Sequence, residues 1–219
     1  MRRVSLRIAA LILAVCAFAS LMGCGSMQYD AKGHVQGDLD AQYKKIFSEK
    51  YLASVTNTEE ELAKIYEEGI EYEAEYLAYY FDMDLDKCSD GIKTRLQEVC
   101  KKMYGAAKYE VGDAVKSNDM FVVGVTVYPI DLIDHIANEH WDEFEKEWTD
   151  GYKEIAGLSE DEIEEHWADK IVTILEDNVD KIGYLEPETV SVQVVKDEND
   201  LYIISDNDFS RLNTLMIKY

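Results

Sequence analysis

The sequence predicts an α+β fold in which helices cover one face of a four-stranded antiparallel sheet made of two hairpins. Apolar residues recur at helical spacing over most of the chain, and in two short regions they alternate with polar residues around a turn sequence. No β-α-β alternation is found in the sequence, so a parallel sheet is not expected. The chain has 219 residues, of which 47% are hydrophobic, which is enough for one domain with a substantial core.

Three helices and a hairpin are predicted in the first half of the chain. Thr58 and Glu61 have the spacing of a capping box, and Ser89 is a second N-cap residue, so a helix is expected to begin after each cap. After the third helix the apolar period changes from 3.6 to 2, with turn residues at 117–119 and a stop at Pro129. The predicted helices cover 38–50, 58–82 and 89–104, and the hairpin covers 109–127.

Two further helices, a second hairpin and a terminal helix are predicted in the second half. Ser159 and Glu162 form another capping box, and Gly183 is typical of a helix C-terminus. Alternating valines then lead into a turn at 197–200. The predicted elements are helices over 131–157 and 159–183, a hairpin over 190–205 and a short helix over 208–219.

The N-terminus has the features of an export signal. Three arginines precede an uncharged run over residues 8–22. A membrane-spanning helix needs about 20 apolar residues, so this run is too short for a permanent anchor. An ordinary secretory signal ends in an A-x-A-like site, whereas this one ends in Leu21-Met22-Gly23-Cys24.

Residues 21–24 resemble the lipobox of bacterial lipoproteins. The resemblance implies that the Cys24 thiol receives a diacylglyceryl group and that cleavage after Gly23 makes Cys24 the first mature residue. Two acyl chains are enough for stable attachment to a membrane. We therefore expect a signal peptide over 1–23, lipidated Cys24 and a short tether over 24–37, and one extracellular domain over 38–219 on the outer face of the cell membrane. The alternative is a chance cysteine in an ordinary secretory signal.

Four further segments resemble small surface lipoproteins of Gram-positive gut anaerobes. They are residues 35–44, 68–72, 107–112 and 125–131. These proteins have no known function, and the resemblance implies a cystatin-like or NTF2-like fold, in which helices pack into a curved antiparallel sheet. The long pair of helices predicted over 131–182 departs from a strict NTF2-like cone.

The charge of the chain limits its partners. The formal net charge is −23, from 45 acidic and 22 basic residues, and it excludes nucleic acid because phosphate binding needs a basic surface. The acids are concentrated at 58–86 and 131–166, on predicted helices. Close to an anionic membrane these faces should point outward, where a cationic or metal-bearing partner fits better than a phosphate polymer. A solvated acidic surface that only keeps the protein soluble is the alternative.

No zinc site and no cofactor are predicted. His135 and His140 are separated by five residues, which places them about 140° apart on a continuous helix. Metalloprotease motifs instead place two histidines four residues apart on one face. The two imidazoles are therefore not expected to share a metal ion, and His135 is expected to pair with Glu139 on the surface.

The loop after the second helix begins like a calcium-binding EF-hand loop. Its carboxylates are Asp82, Asp84 and Asp86. Lys87 and Lys93 stand where that loop requires glycine and a bidentate glutamate. A looser calcium site at the three aspartates and an acidic loop between helices are the two alternatives.

The candidate catalytic residues lie on apolar helix faces, where histidines are more often core residues than catalysts. They are His140, His166, Tyr76 and Tyr80. The sequence contains no nucleophile-elbow, P-loop or dinucleotide-binding motif. Five tyrosines crowd the second helix, at positions 66, 72, 76, 79 and 80. Such a stripe is more often part of the core, and an exposed edge would instead form a platform for a sugar or a peptide.

These observations favour a non-catalytic binding or scaffolding domain with an unknown extracellular ligand or protein partner. One alternative is a small NTF2-like enzyme with a pocket of histidine and acid, and another is a ligand-binding component of a transporter. Cys88 and Cys100 are expected to be free, partly buried thiols, because a helix over 89–104 would hold them roughly 15 Å apart along its axis, beyond the reach of a disulfide. The alternative is a disulfide, which requires the loop at Cys88 to fold back over the helix.

Overall fold

The two predicted hairpins form one four-stranded antiparallel sheet, with its strands in the order β1-β2-β3-β4. The computed structural model describes residues 29–219. Val194 pairs with Ile204 and Lys196 pairs with Tyr202 in the second hairpin. The strands are β1 (Lys108–Ser117), β2 (Met120–Tyr128), β3 (Glu188–Lys196) and β4 (Tyr202–Ile204). Together with the helices, this sheet confirms the predicted α+β class.

The helices begin where the capping residues predict. The Thr58 hydroxyl accepts a hydrogen bond from the backbone amide of Glu61 at 3.2 Å. In return, the backbone amide of Thr58 donates to the side-chain carboxylate of Glu61 at 2.8 Å. Ser159 and Glu162 make the same reciprocal pair, and the Ser89 hydroxyl also caps its helix. The helices are α1 (Ala31–Lys44), α2 (Glu49–Leu52), α3 (Glu59–Tyr80), α4 (Asp90–Gly105), α5 (Leu132–Glu139), α6 (Trp141–Ile155), α7 (Glu160–Val179) and α8 (Asp206–Met216).

The first helix begins earlier than predicted. Residues 31–37 were expected in the tether, but they form the first two turns of α1, capped by the side chain of Asp30 on the amide of Gly33. Val35 is fully buried, so this stretch already belongs to the core. The helix ends at Lys44, since Lys45 has a left-handed φ of 54°. Residues 45–48 are not helical, and the last two residues of the predicted first helix begin the short α2.

The helix predicted over 131–157 is divided in two. His140 has φ −124° and ψ −19°, outside the helical region, and it separates α5 from α6. Backbone hydrogen bonds persist on both sides, since the His140 amide donates to the carbonyl of Ile136 and the Phe144 amide donates to the carbonyl of His140, both at 3.0 Å. The chain therefore turns at a single residue that is neither proline nor glycine.

The described residues divide into two compact units, and the first contains the sheet. It consists of residues 29–66, Tyr109–Val127 and Thr189–Asn213. Alternate residues of β2 and β3 are buried, as in a sheet covered on one face. Helix α1 contributes Leu39 to this core, and the Tyr109 hydroxyl of β1 donates to Asp40 of α1 at 2.6 Å.

The second unit is mainly helical. It consists of Glu67–Lys108, Tyr128–Glu188 and Thr214–Tyr219. Helices α4 and α7 pack through buried Leu96, Ile171 and Leu175, and the Arg95 guanidinium joins them at the edge with a bidentate contact to Glu176 at 2.7 and 3.0 Å. Glu176 and Asp169 raise the pKa of Arg95. The prediction of one domain over 38–219 stays a prediction.

Two smaller features complete the fold. Cys88 and Cys100 are buried free thiols, which confirms the expectation for both. Among residues 29–219, every helix is too short or too polar to cross a membrane.

Candidate functional site

Helix α3 presents an exposed group of tyrosines at its C-terminal end. The exposed fractions are 39% for Tyr76, 76% for Tyr79 and 43% for Tyr80. Tyr219 lies beside them, with its ring edge-on to Tyr76 at a centroid distance of 4.7 Å and 5.4 Å from the ring of Tyr80. We call these four residues the tyrosine surface. Tyr76 and Tyr80 were predicted as candidate catalytic residues on an apolar helix face, but the structure exposes both. The contribution of Tyr219 was missed because it lies 139 positions beyond Tyr80 in the chain.

A carboxyl group beneath the tyrosine surface holds Tyr219 in place. The Tyr219 hydroxyl donates a hydrogen bond to Glu73 Oε1, and the Tyr104 hydroxyl donates to Oε2 at 3.0 Å. Burial raises the pKa of Glu73, and the two tyrosine hydroxyls offset part of that shift. Glu73 therefore joins α3, α4 and Tyr219, and it positions the Tyr219 ring against those of Tyr76 and Tyr80 before any ligand arrives.

The chemistry of the tyrosine surface is that of recognition. A tyrosine ring offers a flat apolar face and a hydroxyl that both donates and accepts hydrogen bonds. The exposed acids Glu75 and Asp82 lie close in sequence to these rings and add hydrogen-bond acceptors. Such a surface can stack against an uncharged ligand and bind its hydroxyl or amide groups.

The structure places His140 next to His135, contrary to the prediction from their spacing. Their ring centroids are 5.2 Å apart, and His135 Nδ1 lies 3.4 Å from Glu139 Oε1. The predicted separation of about 140° between the imidazoles is wrong, because it requires a continuous helix and α5 ends at Glu139, immediately before His140. No local sequence signal marks this break, so sequence reasoning missed the group.

His166 is exposed on α7 and lines a shallow groove of about 520 Å³ between α4 and α7. The polar groups around it already have partners. The amide and hydroxyl of Ser89 donate to Glu165 at 2.7 and 2.6 Å, and Arg95 pairs with Asp169 at 2.5 Å. The groove therefore places His166 beside carboxylates that are already hydrogen-bonded, which fits a helix-joining network.

The three aspartates of the acidic loop do not converge. Asp84 caps a single 3₁₀ turn by accepting from the amide of Asp86 at 3.3 Å, and its own amide donates to Glu164 at 2.7 Å. Asp82 has a left-handed φ of 55°. Within residues 29–219, three or more metal-binding side chains come together only at His135, Glu139 and His140. The predicted lipidation and cleavage residues, Cys24 and Gly23, lie outside the described residues.

Comparisons with known proteins show similarity at the level of fold. The chain matches no protein-family profile and no curated protein. A solved structure of ycdA, a candidate lipoprotein from Bacillus subtilis, aligns with a TM-score of 0.59 and 15% sequence identity, over 87% of this chain. The chain spans 56% of the length of that protein. At this identity the similarity shows a shared fold.

Proposed function

We propose that this chain is a lipid-anchored protein of the bacterial cell surface whose folded part binds an extracellular ligand without catalysing a reaction. The observation that carries the proposal is the N-terminal signal that ends in Leu21-Met22-Gly23-Cys24. The fold shared with a candidate lipoprotein of a Gram-positive bacterium supports it. Anchoring through diacylglyceryl-Cys24 would leave the acidic domain on the outer face of the membrane.

The tyrosine surface is the part of the domain that best fits ligand binding. Its rings are exposed, and Tyr219, which Glu73 holds by a hydrogen bond, contacts the rings of Tyr76 and Tyr80. The chain is strongly acidic, so it disfavours anionic polymers. We therefore assign an uncharged saccharide as the ligand, because its C–H faces can stack on the rings and its hydroxyls can donate to the neighbouring carboxylates.

The anchor is tested by changing Cys24 to alanine in the producing cell. The unaltered chain should incorporate radiolabelled fatty acid and sediment with the membrane fraction. The Cys24→Ala variant should lose the label and remain unprocessed or be released. Cys16→Ala is the matched control, because it also removes a cysteine of the signal and should leave labelling unchanged. Continued labelling of the Cys24→Ala variant would contradict the anchor.

Ligand binding is tested separately with immobilised neutral oligosaccharides and the full chain purified in detergent. The double variant Tyr79→Ala/Tyr80→Ala should lose at least about tenfold in affinity, since stacking on an aromatic ring contributes roughly 1 kcal/mol or more. Tyr152→Ala is the control, because Tyr152 is a similarly exposed tyrosine on α6. Equal binding by the double variant and the control would refute the assignment of the tyrosine surface, and binding to unstructured peptides instead would refute the saccharide.

A further inference from the structure

We propose that His135, Glu139 and His140 form a binding site for a first-row transition-metal dication of the Zn²⁺ class at the junction of α5 and α6. This inference is independent of the tyrosine surface and of the lipid anchor. It rests on the geometry of three side chains that lie close together in the structure, although the five-residue spacing of the two histidines predicted that they would lie on different faces of a helix.

The three side chains have the separation that such an ion requires. One ligand atom from each residue can be chosen so that all three atoms lie within 4.8 Å of one another. Zinc binds nitrogen and oxygen at about 2.0–2.2 Å, so two ligands of a tetrahedral site lie about 3.4 Å apart. His135 Nδ1 and Glu139 Oε1 are already 3.4 Å apart. Side-chain rotation can shorten the longer distances among the three ligand atoms to about 3.4 Å, because the Glu139 side chain is 65% exposed and free to change rotamer.

The break at His140 builds this arrangement. His135 and Glu139 lie one turn apart on α5, and His140 leaves the helix immediately after them. Ile136 is fully buried and fixes α5 from below. Trp141 stacks on Phe144 at a centroid distance of 5.2 Å, and so holds the start of α6. Both sides of the junction are thus anchored in the core, which limits the motion of the ligands.

The chemistry of the ligands selects the ion. Two imidazoles and one carboxylate suit Zn²⁺, Ni²⁺ or Cu²⁺, whereas Ca²⁺ and Mg²⁺ prefer a shell made of oxygen. Three protein ligands leave a fourth position of a tetrahedral ion for water or for a group of a partner. The site is therefore an open one, to which an imidazole or carboxylate of a second molecule can bind.

The surrounding charge favours a cation. Residues 131–143 contain five acidic residues and neither lysine nor arginine. Asp134, Asp142 and Glu143 of this segment are exposed close to the two histidines in sequence. Carboxylates around a site raise the local concentration of dications and speed their association.

The test is titration of the full chain, purified in detergent and freed of metal, with Zn²⁺ in competition with a chromogenic chelator. We expect one tightly bound ion per chain. His135→Ala and His140→Ala should each weaken binding by about 100-fold or more, because even the loss of an outer-shell partner costs roughly 10–100-fold. Glu139→Gln, at an exposed position, should weaken it by at least about tenfold without affecting the fold.

Two matched controls separate this site from non-specific binding. His166→Ala removes an exposed imidazole outside the cluster, and Glu154→Gln removes an exposed acid near the C-terminal end of α6, so both should bind as the unaltered chain does. Co²⁺ should give the visible absorption of a four-coordinate site in the unaltered chain and lose it in His140→Ala. A saturating concentration of Zn²⁺ should raise the Tm of the unaltered chain and leave that of the double variant His135→Ala/His140→Ala unchanged.

The proposal is overturned if the double variant binds Zn²⁺ as tightly as the unaltered chain, or if the unaltered chain shows no saturable binding of one ion. It is also overturned if an equal concentration of Ca²⁺ displaces the bound Zn²⁺, because oxygen ligands would then dominate the site. Glu139→Gln keeps the test decisive if a histidine variant fails to fold.

Discussion

Replacement of Gly37 by alanine should destabilise the protein even though it improves the helix propensity of α1. A Cβ atom at Gly37 would lie 2.1 Å from Cδ2 and 2.6 Å from Cγ of Tyr51. Atoms in van der Waals contact are about 3.5–4.0 Å apart, so the ring must move by more than about 1 Å. Tyr51 is buried, and its hydroxyl donates to Asp38 Oδ1 at 2.9 Å. The displaced ring would lose that hydrogen bond.

The magnitude follows from three contributions. Alanine favours the helix over glycine by about 1 kcal/mol. Overpacking of a filled core costs about 1–3 kcal/mol, and loss of the donor to a buried carboxylate costs about 1–3 kcal/mol. Burial raises the pKa of Asp38, and the hydrogen bond from Tyr51 is one of the interactions that offset this shift. Loss of that donor therefore leaves the buried carboxylate less stabilised. The free energy of unfolding should therefore fall by about 1–5 kcal/mol, with a central value of about 3 kcal/mol, as the sum of these contributions.

The assay is urea unfolding of the full chain followed by far-ultraviolet circular dichroism. Gly69→Ala is the matched control, because Gly69 also lies within a helix and a Cβ there would meet no atom within 4 Å. That variant should gain up to about 1 kcal/mol from propensity alone. If Gly37→Ala is as stable as Gly69→Ala, the contact between α1 and Tyr51 does not limit this position and the reasoning is refuted.

Three further predictions concern the second unit. Burial raises the pKa of Glu73 from its ordinary value of 4.5. The native state therefore binds this proton more tightly than the unfolded state does. The resulting contribution to the free energy of unfolding is complete below pH 4.5 and is lost as the pH rises through the raised pKa. The stability gain of Glu73→Gln over the unaltered chain in urea unfolding should therefore grow as the pH rises above 4.5, and parallel pH profiles would contradict this. Arg95→Ala should lose about 1 kcal/mol, since its ion pairs are partly exposed, and the loss should shrink in 1 M salt; a loss independent of salt in thermal unfolding would point to packing instead. The pKa of Cys88 is raised to about 11 by burial, so Cys88 and Cys100 should react with iodoacetamide slowly in the native protein and rapidly in urea, as followed by peptide mass spectrometry, whereas a disulfide between them would contradict the structure.

Features that depend on neighbours in the sequence were predicted correctly. The capping boxes at Thr58 and Ser159 involve residues three positions apart, so the start of each helix can be read without tertiary information. The two hairpins follow equally from alternation and a turn, because each strand pairs with its neighbour along the chain. The order of helices and strands, and hence the α+β class, needed no other information.

Features that depend on packing were not predictable. Gly33 and Gly37 make residues 31–37 look like a linker, but burial of Val35 against the core more than offsets the low helix propensity of glycine. The first turns of α1 are therefore stabilised by burial in the core, which a local pattern cannot show.

The two candidate sites differ from the sequence expectations for the same reason. Local propensity does not predict the end of a helix at His140, where the backbone leaves the helical region and brings two imidazoles together. Tyr219 meets Glu73 across 146 residues of chain. Residue type and local spacing specify which helices and strands form, but the free energy that selects one helix break or one long-range contact arises from burial, which exists only once the elements have packed.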